Sequence, residues 1–89
     1  MMKTIQIKVF GRVQGVGFRY FTAQHAKDNN ITGTVQNVDD YVEIYATGEN
    51  SDLDTFTDKV IRGASPMSRV QSYEINDIPE QQFKQFKTI

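Results

Sequence analysis

Thr4-Ile5-Gln6-Ile7-Lys8-Val9-Phe10, followed without a break by Gly11-Arg12-Val13-Gln14-Gly15-Val16-Gly17-Phe18-Arg19, is the stretch on which the fold turns. Ile5, Ile7 and Val9 alternate with Gln6 and Lys8, the period of a strand with one buried face. Gly11, Gly15 and Gly17 then break the alternation. From about Arg19 to Asn30 no Gly or Pro interrupts a mixed polar and apolar run, which predicts a helix. Its exit falls near Asn29-Asn30, where asparagine tolerates the left-handed conformation.

Outward from this unit the pattern continues. Gly33–Val38 and Tyr41–Thr47 read as two strands of a hairpin around Asp39-Asp40, with Val42, Ile44 and Ala46 facing inward. Ser51 is expected to cap a second helix, with Asp52 and Asp54 in its positive first turn. Leu53, Phe56, Val60 and Ile61 form its buried stripe. Gly63 and Pro66 end it. A strand with imperfect alternation follows from about Ser68 to Ile75, and Phe83–Thr88 supplies a short edge strand. The order predicts an α+β, ferredoxin-like split βαβ sandwich, with two helices on one face of an antiparallel sheet. Residues 1–89 are expected to form a single domain.

A right-handed crossover makes the first two strands parallel, so their carboxyl ends share one edge. With the third strand between them, they stand roughly 10 Å apart at ~4.8 Å per strand. The glycine loop and the residues around Asn37 therefore face each other across a gap that fits a phosphate and a water.

Composition narrows the chemistry. The chain lacks cysteine, which excludes disulfides, thiolate metal sites and a cysteine nucleophile. Ten basic residues against eleven acidic ones give a net charge of -1, a balance that weighs against a general nucleic-acid binder. Met1–Gln6 has no apolar leader segment, and no apolar run approaches the ~20 residues that span a bilayer. A cytoplasmic, monomeric protein without membrane or nucleic-acid partners is the expectation.

In the loop, glycines permit positive φ and close approach to a ligand. Successive N–H groups form an anion-binding nest, reinforced by the following helix N-terminus. Arg19 opens that helix, and its guanidinium can meet the same anion with two parallel hydrogen bonds. Three glycines in a loop are equally a plain tight turn, and the segment matches neither the Walker pattern nor the dinucleotide fingerprint.

Taken whole, Gly11–Arg19 resembles the phosphate-loop signature of the acylphosphatase family without a gap, and Gly33-Thr34-Val35-Gln36-Asn37 resembles the family's second signature. Weaker echoes in Val42-Glu43-Ile44, Gly48 and Pro66–Val70 extend the likeness over nearly the whole chain. The resemblance implies a ferredoxin-like, metal-independent acylphosphatase that needs no cofactor. It implies that Arg19 and the backbone amides of Gln14, Gly15, Val16, Gly17, Phe18 and Arg19 bind the phosphate of a small-molecule acyl phosphate. It further implies that Asn37 orients the attacking water. Three positions depart from the family: Thr34 replaces a common aromatic, Gln36 a common basic residue, and Asp39-Asp40 a turn that often carries Gly.

Other candidates read more plainly. His25, the sole histidine, lies over a turn beyond Arg19 and is expected to be structural. Asp39 and Asp40 are turn residues, and no His/Asp/Glu set has metal-ligand spacing. Arg12 is expected in solvent, and Phe18, Tyr20 and Phe21 as core and loop support. Two rival functions remain at this level: a non-catalytic anion- or ligand-binding module, and an RNA-binding sheet presenting Tyr41 and Tyr45.

Overall fold

A computed structural model describes residues 1–89. Strand β1 (Met2–Arg12) leads to helix α1 (Phe18–Asp28), strands β2 (Thr32–Val38) and β3 (Tyr41–Glu49), helix α2 (Asn50–Ile61), and strands β4 (Arg69–Ile78) and β5 (Phe86–Thr88). The sheet order is β4-β1-β3-β2-β5, with β3 between the parallel pair β1 and β2 as the crossover argument requires. The ferredoxin-like expectation holds for β1 to β4, which pair antiparallel. The fifth strand differs, because β5 joins β2 in parallel and makes the sheet mixed.

The core follows the alternation. Ile5, Ile7 and Val9 of β1, Val35 of β2, and Val42, Ile44 and Ala46 of β3 are buried under Phe18 and Ala26 of α1 and Leu53, Phe56 and Val60 of α2. Phe86 closes this layer from the tail, its ring 6.0 Å from that of Phe56.

Several boundaries move for physical reasons. Ser51 is not the cap of α2: β3 runs through Glu49 with no intervening loop, so the cap position falls on Glu49 (φ -69, ψ 153), which makes no side-chain cap bond. Ile61 is only half-buried at the end of that helix. At the exit of α1, Asn30 takes φ 58 and Ile31 N–H reaches back to the Ala26 carbonyl at 2.8 Å, the left-handed exit foreseen for asparagine. β4 extends to Ile78 as an edge strand whose residues are mostly exposed, which explains its weak alternation. β5 begins only at Phe86, because the preceding chain passes under the sheet. There Gln81 N–H donates to Thr4 Oγ1 at 2.8 Å, and Thr47 Oγ1 donates to the Gln81 carbonyl at 2.8 Å.

Candidate active site

The β1–α1 loop is pinned by apolar anchors. Val13 and Phe18 are each 1% exposed, and Val16 packs partly buried against the core. Between them Gly15 and Gly17 take φ 73 and 76, a left-handed geometry of the kind found in anion-binding nests. Outside the regular elements no backbone hydrogen bond is donated by Gln14, Gly15, Val16 or Gly17. Gly17 also sits at the N-cap of α1, with no side-chain cap and no acidic residue in the first turn. The loop and the helix start thus present free N–H donors and the positive end of the helix dipole.

Arg19, the second residue of α1, is half-buried and its Nη1 donates only a long 3.4 Å bond to the Ile89 carbonyl. Asn37 stands exposed near the end of β2, opposite Val42 of β3. One cavity of about 290 Å³ is lined by Gly15, Gly17, Phe18, Arg19 and Asn37, with Val13, Tyr20 and Thr88 completing its wall. Arg19 is its only charged side chain. A larger depression of about 490 Å³ lies beside the end of α1, but Lys27 is its sole charge and no loop amides enter it. Of the two, only the smaller gathers loop glycines, Arg19 and Asn37.

Of the residues expected in the site, Gly15, Gly17, Phe18, Arg19 and Asn37 meet at this cavity. Gln14 and Val16, whose backbone amides are also expected there, are not among the residues that line it. Gln14 instead donates from Nε2 to the Asp39 and Tyr41 carbonyls. Tyr20 is not core, being 62% exposed at the cavity mouth, with its ring edge-on to Phe21 at 5.3 Å. Thr88 carries no local sequence signal of its place here, since only the parallel docking of β5 brings the tail to the cavity that Asn37 lines. His25 lies away from the cavity, its Nε2 3.1 Å from the Ala64 carbonyl, and joins α1 to the α2–β4 loop. Arg12 is exposed and faces a separate depression with Arg62 and Arg69. No cluster of three or more His, Cys, Asp or Glu side chains is arranged to hold a metal ion.

With this geometry in view, comparison with known proteins is direct. Residues 5–88 match the family model described as Acylphosphatase. The chain belongs to the acylphosphatase family. An acylphosphatase of Staphylococcus aureus (strain Newman) is 54% identical over 89 residues, covering 99% of this chain and 100% of the relative. The crystal structure of the acylphosphatase from Bacillus subtilis superposes with a TM-score of 0.92 at 37% identity, over 100% of this chain and 99% of that one. Full-length HypF in its phosphate- and nucleotide-bound form matches at TM-score 0.94 and 29% identity, with this chain covering only 12% of that longer protein. The expected enzyme class and the ferredoxin-like acylphosphatase fold stand with the family.

Proposed function

We propose that this acylphosphatase hydrolyses small acyl phosphates by direct attack of water at phosphorus. The observation that carries the reading is the single cavity in which the only lining cation, Arg19, meets a loop with free amides and the carboxamide of Asn37. The phosphoryl group is held by the amides of Gln14 to Arg19 and by the Arg19 guanidinium, whose fork geometry suits two phosphate oxygens. Asn37 offers both a donor and an acceptor, so it holds a water in line with the leaving carboxylate.

The step balances without a protein base. The water oxygen forms a bond to phosphorus, the phosphorus–carboxylate oxygen bond breaks, and both water protons end on phosphate oxygens. An acyl phosphate dianion and water thus give a carboxylate and dihydrogen phosphate. Because a carboxylate leaves readily, charge neutralisation and positioning suffice. Neither a phosphoenzyme nor a protein-held metal is part of the scheme: no carboxylate, imidazole or thiol lines the cavity, so its Tyr20 and Thr88 hydroxyls have no side-chain base beside them there. The scheme is proposed for a monomer acting in the cytoplasm.

The rival readings fare less well. A purely binding module leaves Asn37 facing the anion site without a task. An RNA platform is opposed by the helix-free face, where Glu43 accepts from Gln6 at 3.0 Å and Gln36 at 3.2 Å. Tyr41 there is engaged by Phe10 at 5.1 Å and Lys8 at 5.8 Å.

Hydrolysis of benzoyl phosphate in ¹⁸O-water tests the scheme. One labelled oxygen should enter phosphate and none the benzoate, with rates unchanged by a chelator. Asn37→Ala should lower kcat at least ~100-fold, since positioning a nucleophile is worth several kcal/mol, while phosphate inhibits as before. Label in benzoate, or a trapped phosphorylated side chain, contradicts the mechanism.

A further inference from the structure

The Gln14 side chain leaves the phosphate loop and crosses to the β2–β3 hairpin. Its Nε2 donates to the Asp39 carbonyl at 3.1 Å and to the Tyr41 carbonyl at 2.9 Å. A carboxamide nitrogen has two hydrogens, and both are aimed at carbonyls that bracket one turn. Asp39 turns the chain there with φ 50. Asn37 lies two residues earlier on the same hairpin, opposite Val42.

Nothing else of this kind joins the two halves of the site. The β1–β3 ladder ends at the Val9–Val42 pair, so beyond it the loop and the hairpin share no backbone pairing. The other polar side-chain contact from this region, Arg19 to Ile89, goes to the tail instead. Phe10 and Tyr41 touch below the loop, but ring contact fixes distance loosely. A clamp of two separate hydrogen bonds from one carboxamide nitrogen fixes it more closely.

We infer that Gln14 is a positioning residue: its side chain sets the spacing between the phosphate cradle and the water-holding carboxamide of Asn37. The inference rests on the hydrolytic reading above, in which the loop binds phosphate and Asn37 binds water. It assigns the Gln14 side chain a task distinct from that of its backbone amide. Displacement of a reacting group by about 1 Å can cost ~100-fold in rate, so the clamp acts on kcat and not on anion affinity.

The test is a double-mutant cycle on the full chain with benzoyl phosphate, with inorganic phosphate as the inhibitor. Gln14→Met keeps length and volume but removes both donors. It should lower kcat by roughly 10- to 100-fold and leave the phosphate inhibition constant within about twofold. In the Asn37→Ala background the same substitution should cost less than about threefold more, because the group it positions is gone. Gln14→Asn, one methylene shorter and unable to reach both carbonyls, should repeat the pattern if Gln14→Met proves unstable. A phosphate constant that rises in step with the loss of kcat would overturn the inference, placing the effect in the cradle. So would full multiplicativity with Asn37→Ala, or an unchanged kcat. The Asn37→Ala single variant separates the levels. If it is fully active, the hydrolytic reading falls and this inference with it; if it is impaired but the cycle is multiplicative, only the inference falls.

Discussion

Replacing Arg19 by alanine should remove catalysis and leave the fold. The structural argument has two sides. Arg19 is the only charged side chain lining the cavity, so no neighbour can take over neutralisation of the phosphoryl oxygens. Its one bond within the chain, to the Ile89 carbonyl, is 3.4 Å long, so the guanidinium contributes little to stability. A bidentate charge-assisted contact that tightens as charge develops is worth about 3–4 kcal/mol. At 1.4 kcal/mol per decade that is a loss in kcat of roughly 100- to 1,000-fold. The expected stability change of a half-exposed side chain without a strong partner is within about 0.5 kcal/mol. Arg19→Lys should recover less than about a tenth of the loss, because an ammonium supplies charge without the planar fork. The assay is benzoyl phosphate hydrolysis, with phosphate binding by calorimetry and a thermal melt on the same samples. A folded Arg19→Ala variant that keeps more than about a tenth of wild-type kcat would refute the reasoning, since the loop amides would then suffice alone.

Three further outcomes follow from local geometry. Thr22 is fully buried on α1 and its hydroxyl has no hydrogen-bond partner; Thr22→Val should stabilise by about 1 kcal/mol, read as a rise of roughly 4–8 °C in Tm, and a fall in Tm would contradict this. Gly33 holds φ 146, and an added Cβ would lie 1.8 Å from the Tyr45 carbonyl oxygen; Gly33→Ala should destabilise by at least ~3 kcal/mol in a urea titration, and a wild-type midpoint would show that the two strands separate more easily than their register suggests. Tyr20 stands exposed at the cavity mouth; Tyr20→Ala should raise KM severalfold for benzoyl phosphate through loss of about 1 kcal/mol of ring contact, while KM for acetyl phosphate stays within twofold.

What could be read from the chain and what could not divide along a physical line. Alternation in β1, the glycine break and the stripe of α2 are local signals, and they suffice for the element order and for bringing Arg19 and Asn37 to one edge of the sheet. The departures at Asp39-Asp40, Gln36 and Thr34 also resolve locally. Asp39 adopts φ 50 without glycine, a conformation that a short acidic side chain tolerates. Gln36 donates to Glu43 at 3.2 Å, and Thr34 takes its place in register opposite Tyr45. The errors come where a tertiary partner decides. Ser51 has a good cap's chemistry, yet the unbroken run of β3 through Glu49 moves the helix start past it. Phe86–Thr88 joins β2 in parallel because the chain must return beneath the sheet to the far edge, a route recorded by no short-range pattern. Gln14 shows the distinction within one residue. Its place in the glycine loop is a local signal, because loop geometry depends on its neighbours. Its side-chain bonds run to Asp39 and Tyr41, 25 and 27 positions away, and become visible only when the hairpin folds back over the loop. On the proposed mechanism the local motif binds the anion, and the long-range contact sets where Asn37 meets it.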